Sequence, residues 1–215
     1  MTRLIVGLLL LWSAAGGAET VQWRSEFLSG YRSLNYFAGT TNVKGTVLSA
    51  GLGLTAVSGR FYGSLTAERD VRTLSSDGNF NRADTALSIG YGAGDNISLF
   101  IGYKQGVTKL DTPELRAKGL FLGAGAGLPT NIGVFSFSAA YADLSANYRD
   151  NNLYAYSGNA RGTSLSVAWH NKISNALSYG LSLVHHEYYY QHFNILPFSV
   201  NENILSLHAN IQYHF

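Results

Sequence analysis

The sequence predicts an all-β fold: a transmembrane, up-and-down antiparallel β-barrel of ten strands, with eight or twelve strands as the alternatives. Three observations carry this prediction. Apolar and polar residues alternate in ten separate segments, short and long connections follow these segments in turn, and charged side chains fall on only one face of them. Because successive side chains of a strand point to opposite faces, each segment is predicted to form a strand with one apolar face.

The composition fits an exported, β-rich chain without disulfides. The 215 residues include 24 glycines, 14 tyrosines, 3 prolines and no cysteine, so packing and strand pairing must supply the stability. Residues 1–18 show a short basic start, an apolar run and a small-residue stretch, which predicts a secretory signal peptide cleaved after Ala18. Residues 19–215 are then predicted to form one barrel domain. No nucleic-acid partner is expected, because the formal net charge of the chain is only +2.

Ten alternating segments define the predicted strands in chain order. The apolar faces of the first five carry Val21, Trp23, Phe27 and Tyr31, then Leu48, Ala50, Leu52, Leu54 and Ala56, then Phe61, Leu65 and Ala67, then Leu87, Ile89 and Tyr91, then Ile97, Leu99, Ile101 and Tyr103. Those of the last five carry Leu120, Leu122, Ala124, Ala126 and Leu128, then Phe135, Phe137, Ala139 and Tyr141, then Leu165, Val167 and Trp169, then Leu177, Tyr179, Leu181 and Leu183, then Leu205, Leu207, Ala209, Ile211, Tyr213 and Phe215. Many short strands with this alternation are typical of a barrel or a sandwich.

The connections alternate between short turns and longer polar stretches. VSGR, GAGDN, PTNIG and NKISNA are short and contain turn residues. The longer stretches are predicted to be loops at residues 32–45, 70–83, 106–118, 144–161 and 190–203. A soluble sandwich has no reason to collect every short turn at one end, whereas a membrane barrel with short inner turns and long outer loops does.

Charge placement indicates which face of the strands meets lipid. The apolar faces carry no charge, and the opposite faces of the same strands hold Arg24, Glu26, Glu68, Asp84 and Lys104. A cation that faces lipid at mid-depth costs roughly 2–4 kcal/mol, whereas a polar lumen accepts it. A water-soluble barrel would show the reverse pattern. The apolar faces are therefore predicted to point outward into a bilayer, with belts of aromatic residues at both ends of the strands.

The end of the chain carries the one local motif. The segment LSLHANIQYHF alternates to its last residue and ends on an aromatic ring. In this respect the chain resembles the Gram-negative outer-membrane β-barrel proteins, in pattern over residues 19–215 and without indicating a subfamily. The resemblance implies residence in the outer membrane, contact with the lipid bilayer and lipopolysaccharide, and recognition by the outer-membrane insertion machinery. It also implies that Ile211, Tyr213 and Phe215 form the assembly signal.

Two motifs that could bind a ligand are interpreted as structural. GLFLGAGAGLP is not followed by the helix start that a phosphate-binding loop requires, so its glycines are expected to line the lumen. SDGNFNRAD has the first three ligand spacings of a calcium loop. However, Arg82 and Ser88 stand where such a loop needs glycine and glutamate. No cofactor and no metal site are therefore predicted.

Two histidine-containing motifs leave an enzymatic alternative open. HHEYYYQH puts His185 and Glu187 on the outward face near the headgroups, where they could act on lipids; a girdle of rings bonded to headgroups is the simpler interpretation. In WHNKISNA, His170 and Ser174 lie four residues apart across a predicted turn, and the sequence has no Gly-x-Ser-x-Gly elbow. No catalytic residue is predicted.

The inward-facing charges are the main candidates for a functional site. The predicted lumen or pore-lining residues are Arg24, Glu26, Glu68, Asp84, Lys104 and His208. One interpretation is a paired network that braces the barrel, because unpaired buried charge is costly. The other is a polar path for water, ions or a small solute, because the other inward residues are mostly Gly and Ser and ten strands can leave a gap between them.

Three functions are compatible with these features. The favoured one is a narrow channel or solute-specific pore, in which the carboxylates of Glu68 and Asp84 outnumber the ammonium of Lys104 and select cations. The second is a structural or surface-interaction barrel that acts through its outer loops. The third is an outer-membrane enzyme that acts at the barrel rim.

Overall fold

The chain folds as a closed barrel of ten antiparallel strands. The computed structural model describes residues 20–39, 41–110, 113–150, 154–191 and 199–215. The strands are β1 Gln22–Ala38, β2 Thr41–Ser58, β3 Phe61–Ser76, β4 Phe80–Gly92, β5 Ile97–Leu110, β6 Pro113–Thr130, β7 Gly133–Asp150, β8 Tyr154–Lys172, β9 Leu177–Gln191 and β10 Val200–His214. Each strand pairs with its neighbours in sequence, and β1 pairs with β10 to close the barrel. The predicted fold class and the number of strands are confirmed.

The predicted signal peptide, residues 1–18, lies outside the described residues. Among the residues that the structure describes, no helix has the length and apolar character needed to cross a bilayer.

The connections at one end of the barrel agree with the sequence prediction, and those at the other end do not. The four predicted short turns are present at residues 59–60, 93–96, 131–132 and 173–176. The described parts of the five predicted long loops are mostly strand: β1 runs to Ala38, β3 to Ser76 and β7 to Asp150. The prediction was wrong because apolar and polar residues still alternate in these stretches, but the apolar residues lie on the inward face. The outward face, which was expected to be apolar, is polar there.

The part of each strand nearest the short turns has an apolar exterior. This part, which we call the membrane half, ends at the upper edge of the continuous apolar exterior, which lies at Tyr31, Leu48, Ala67, Leu87, Tyr103, Leu120, Tyr141, Leu165, His185 and Leu205; Phe37, Val71 and Leu74 are exposed apolar residues beyond this edge. Its outward side chains are exposed, among them Leu52, Leu122 and Phe27 at 65%, 61% and 51%. Its inward side is mostly small or polar. A wide apolar exterior of this kind is covered by lipid in a membrane barrel.

An aromatic belt marks the turn end of the membrane half, as predicted. The rings of Phe61 and Tyr91 have centroids 5.0 Å apart, and those of Trp169 and Tyr179 are 5.4 Å apart. Tyr213 and Phe215 stack at 5.8 Å. Tyr31, Tyr103 and Tyr141, also predicted as belt residues, lie at the upper edge of the apolar exterior.

Beyond this edge the polarity of the barrel reverses. This part, which we call the outer half, has a buried apolar interior that includes Leu34, Tyr36, Val47, Phe80, Leu115, Ala117, Leu144, Tyr148, Tyr188, Tyr190, Val200 and Ile204. Its outward side chains are mostly polar, as in the run Asp143, Ser145, Asn147 and Arg149 of β7. A membrane strand needs only about 9–11 residues, whereas these strands have 13 to 19. The excess forms the outer half.

Candidate functional site

The six predicted lumen residues lie at inward-facing positions, as two groups at different depths. Arg24 and Glu26 on β1 pair with His214 and Gln212 on β10, near the turn end. Glu68 on β3 directly faces Asp84 on β4. Lys104 on β5 pairs with Ala86, two residues below Asp84, and His208 on β10 pairs with Gly30. The second group therefore lies at the junction between the membrane half and the outer half.

Arg32 lies in a stretch that was predicted to be a loop. It contacts the carboxylates at this junction. Its guanidinium, 2% exposed, contacts Glu68 Oε1 at 2.6 Å, Asp70 Oδ1 at 2.9 Å and Asp84 Oδ2 at 3.4 Å. These carboxylates come from β3 and β4, whereas Arg32 comes from β1. One cation thus holds together three negative side chains that would otherwise repel one another.

Arg82, the second residue missed from the sequence, connects opposite walls of the barrel. On β4 its Nε and Nη2 donate to the two oxygens of Asp84, each at 2.8 Å. Its Nη1 donates to Glu202 Oε2 at 2.9 Å, and Glu202 lies on β10 with a fully buried side chain. Three strands separate β4 from β10 on the shorter path around the barrel. The Arg82–Glu202 pair therefore crosses the lumen.

A second contact crosses the lumen in another direction. Lys104 on β5 hydrogen-bonds to the hydroxyl of Tyr188 on β9, and three strands separate these two. The Tyr188 ring is 1% exposed and lies 5.7 Å from the Arg82 guanidinium carbon. The ring packs directly over Gly162, where a Cβ would overlap it. Tyr188 thus joins the two cross-lumen contacts into one network.

The network is nearly balanced in charge. It contains four acidic side chains, Glu68, Asp70, Asp84 and Glu202, and three basic ones, Arg32, Arg82 and Lys104. His208 Nε2 lies 2.9 Å from Glu68 Oε1 and completes the contacts. The expected ring of two carboxylates and one ammonium is therefore only a part of the arrangement.

Tyr190, a member of this network in the outer half, has a clearly shifted pKa. The hydroxyl group of Tyr190 donates a hydrogen bond to the Glu202 carboxylate. Burial, and secondly the Glu202 carboxylate, raise the pKa of Tyr190 well above its ordinary value. Tyr190 therefore stays neutral and acts as a hydrogen-bond donor to the buried carboxylate.

Ser49, His208 and Glu68 lie close together but do not have the geometry of a hydrolytic triad. Ser49 Oγ is 3.3 Å from His208 Nε2, and Glu68 Oε1 is 2.9 Å from the same nitrogen. A triad needs the base to contact the nucleophile with one ring nitrogen and the acid with the other. Among the described residues, no group of three His, Cys, Asp or Glu side chains is arranged to hold a metal ion.

At the turn end, the first predicted group forms a separate polar cluster. Gln212 Nε2 donates to Glu26 Oε1 at 3.1 Å and lies 3.2 Å from His170 Nδ1. Ser178 Oγ lies 2.9 Å from His214 Nε2. The register places Arg24 and Glu26 beside the closing strand β10, and their role in a pore remains a prediction.

The histidine-rich rim is engaged in local contacts. His185 Nε2 lies 3.0 Å from Asn203 Oδ1, and Tyr189 donates to Glu187 Oε1 at 2.5 Å. Tyr188 and Tyr190 are buried inside the barrel, as the alternation predicted. His185 and Glu187, the two outward candidates for chemistry at the rim, therefore each lie within hydrogen-bond distance of a neighbouring side chain.

The predicted assembly signal lies on the exterior of the closing strand. Ile211, Tyr213 and Phe215 are 55%, 51% and 62% exposed. The backbone of Phe215 exchanges hydrogen bonds of 2.9 and 3.0 Å with Trp23 at the start of β1. The last residue thus completes the seam of the barrel; its recognition by the insertion machinery remains a prediction.

Solved structures share this fold. No protein-family model and no curated protein matches the sequence. The outer-membrane protease OmpT from Escherichia coli superposes with a TM-score of 0.62 at 10% identity, over 94% of this chain and 99% of that one. The translocator domain of the autotransporter NalP from Neisseria meningitidis gives 0.44 at 13% identity, over 100% and 96%, and Neisserial surface protein A gives 0.43 at 8% identity, over 92% and 100%. At such low identity, the first similarity shows a common fold and the other two are weak.

The fold is thus that of the outer-membrane β-barrels, with a lipid-facing exterior in the membrane half. The predicted class of protein is confirmed at this level. Within this fold, the chain places an ionic network at the junction of the two halves.

Proposed function

We propose that this chain is a closed outer-membrane barrel whose outer half forms a rigid protein surface above the membrane and acts by interaction rather than by conduction. One observation carries the proposal: side chains from opposite walls, Arg82 with Glu202 and Lys104 with Tyr188, meet across the lumen. A path for ions through this level would require both contacts to separate.

The burial around these contacts supports the same conclusion. The largest fully buried side chains of the described residues include Arg32, Tyr36, Tyr188 and Tyr190, which all point into the barrel at or above the junction. A water-filled pore would leave such wall side chains accessible to solvent. Separating a buried ion pair leaves uncompensated charge, so the closed state is strongly favoured.

The narrow channel predicted from the sequence remains the second candidate, because two carboxylates of the network are partly exposed. The side chains of Glu68 and Asp84 are 17% and 26% exposed, in contrast to the fully buried Glu202. If the network opened, these carboxylates would line the constriction and attract cations. Among the described residues of the rim, only the local pairs of His185 and Glu187 bear on the enzymatic alternative.

Planar bilayer recording separates the two candidates. The proposal expects no conductance steps from the folded wild-type barrel. A pore predicts steps with cation preference, which Glu68→Gln with Asp84→Asn should reduce and Lys104→Gln should increase. Glu187→Gln is the matched control, since it removes an outward carboxylate and leaves the lumen unchanged. Steps in the wild type with this pattern of selectivity would overturn the closed-barrel proposal.

A further inference from the structure

The turn end of the lumen carries two cations without a carboxylate partner. Arg24 and Lys172 lie at inward-facing positions near the turn ends of β1 and β8. Of the carboxylates in the described part of the chain, none lies within 4.0 Å of a side-chain nitrogen of Arg24 or Lys172. In contrast, Arg32 and Arg82 at the junction each contact at least two carboxylates. Cations without such a partner attract anions from solution.

Two further polar side chains lie between these cations. Arg24 pairs with His214 on β10, and Lys172 pairs with Ser178 on β9. Ser178 Oγ lies 2.9 Å from His214 Nε2, so polar groups follow one another across the four neighbouring strands β8, β9, β10 and β1. The charges of Arg24 and Lys172 both act on the His214 ring, because both cations point toward the same region of the lumen. We call Arg24, Lys172, Ser178 and His214 the turn-end site.

The nearest acid along β1 does not neutralise the turn-end site. Glu26 lies two residues deeper in the lumen, and its Oε1 accepts a hydrogen bond from Gln212 Nε2 at 3.1 Å. The wall opposite the site leaves room for a ligand, since a Cβ added at the inward-facing Gly127 of β6 would meet no atom within 4 Å. The site is therefore positively charged and faces open space inside the barrel.

These groups match a phosphate group better than a carboxylate. A phosphate monoester carries roughly 1.5–2 negative charges at pH 7 and three acceptor oxygens. The guanidinium of Arg24 can donate to two of these oxygens at once, and the ammonium of Lys172 can pair with the remaining charge. A carboxylate has one charge and two oxygens, so it would leave one of the two cations without a partner.

We propose that the turn-end site binds a phosphate group that enters the lumen from the periplasm. Arg24 and Lys172 balance its charge, and the hydroxyl of Ser178 and the ring of His214 form hydrogen bonds with its oxygens. The short turns of outer-membrane barrels face the periplasm, so the site lies at the periplasmic mouth of the lumen. The ionic network begins at Arg32, further along β1, and the anion binds without crossing it. This site goes beyond the proposed interaction surface, which lies at the other end of the barrel.

Calorimetric titration of the folded barrel in neutral detergent tests the site. The probes are inorganic phosphate, glycerol phosphate and acetate at one ionic strength, and wild type should bind both phosphates more tightly than acetate. Arg24→Gln/Lys172→Gln should bind phosphate roughly tenfold more weakly, because it loses hydrogen bonds between charged groups. The charge-keeping variant Arg24→Lys/Lys172→Arg should retain most of the affinity. Tighter binding of glycerol phosphate would identify a phosphate ester as the ligand, and tighter binding of inorganic phosphate would identify the free anion; both support the proposal.

Lys172→Gln alone should already weaken binding, and its exposed position makes a folding defect irrelevant to the result. Arg60→Gln/Lys118→Gln is the matched control, since it removes two exposed cations outside the lumen and changes the net charge equally. Unchanged affinity in Arg24→Gln/Lys172→Gln, or an equal loss in the control, would overturn the proposal. Acetate bound as tightly as phosphate would also overturn it.

The ring signals of the histidines in nuclear magnetic resonance spectra locate the bound anion. Those of His214 should shift as phosphate is added, and those of His185 at the opposite rim should not. A shift of the His185 signals without a shift of those of His214 would place the anion at the other end and overturn the proposal. Bilayer recordings on the same preparation test the closed barrel separately, so failure of one proposal is distinct from failure of the other.

Discussion

The membrane half and the outer half of this barrel are built from the same ten strands with opposite polarity. In the membrane half, Leu122 and Leu165 face outward, whereas Gly123 and Ser166 face inward. In the outer half of the same strands, Arg116 and Arg161 face outward, whereas Leu115 and Ala160 are buried inside. The solvent outside each half decides which face must be apolar, because the apolar face of a strand avoids water wherever water is present.

The two halves also differ in what stabilises them. The outer half has a packed apolar interior, so burial on the inside contributes to its stability as in a water-soluble barrel. The membrane half has a small and polar interior, and lipid covers its apolar exterior. The network of Arg32 and Arg82 lies where the two arrangements meet, and its contacts cross the lumen at that level.

The largest loss of stability is expected from breaking this junction. Arg82→Gln should lower the free energy of unfolding by about 3–5 kcal/mol, because it leaves the buried Glu202 carboxylate without its cation and Asp84 with Arg32 at 3.4 Å. The double variant Arg82→Gln/Glu202→Gln should be more stable than the single one, since the orphaned charge of Glu202 is removed. Urea unfolding in detergent or lipid vesicles measures both. A single variant as stable as wild type would contradict a paired network.

An added cation on the exterior should lower the free energy of unfolding much more in the membrane half than in the outer half. Leu122→Arg places a charge in lipid and should cost roughly 2–4 kcal/mol. Ser145→Arg places the same charge on the outer half and should change the free energy of unfolding by less than about 0.5 kcal/mol. Unfolding measured in the same lipid compares the two directly. Equal costs would mean that the proposed boundary is misplaced.

Overpacking inside the barrel should have a moderate effect. In Gly162→Val, the new side chain would overlap the Tyr188 ring, and we expect a loss of about 1–3 kcal/mol. Gly127→Val is the control, because a Cβ there meets no atom within 4 Å. The tryptophan and tyrosine spectra in the near-ultraviolet should report the displaced ring. No change in Gly162→Val would contradict the packing of Tyr188 across the lumen.

Deletion of Phe215 should have the smallest effect on fold energy. It removes an exposed ring and two seam hydrogen bonds with Trp23, so we expect about 1–2 kcal/mol. The amount of folded protein in the membrane of cells should nevertheless fall strongly if this ring belongs to the assembly signal. Refolding in vitro is the control. Wild-type membrane levels of the deletion variant would contradict the signal.

The sequence predicted the membrane half well because its alternation is complete and its outward residues are long and apolar. The outer half was predicted as loops, although Leu34, Tyr36 and Ala38 repeat with the same period of two. Only the identity of the apolar face changes there, and a search for outward apolar residues does not detect such a reversal. Following the period alone would have extended the strands.

The candidate site was predicted in part for a related reason. Glu68, Asp84 and Lys104 lie in the membrane half or at its edge and were found by their inward position. Arg32 and Arg82 fell in stretches assigned to loops and were missed. Contacts such as Arg82 with Glu202 join strands far apart in the barrel, and alternation along single strands carries no information about which opposite residues meet.

The reversal of polarity along one strand is tested most directly by a spin-label scan. The chain has no cysteine, so single cysteines can be introduced along the outward face of β7 at residues 137, 139, 141, 143, 145, 147 and 149 and labelled in lipid vesicles. Collision with oxygen should dominate at residues 137 and 139, and collision with a water-soluble nickel complex should dominate from residue 145 onward, with the change between residues 141 and 143. Labels at the inward positions 142, 144 and 146 should be protected from both. Oxygen-dominated accessibility that continues to residue 149 would contradict an outer half that stands in water.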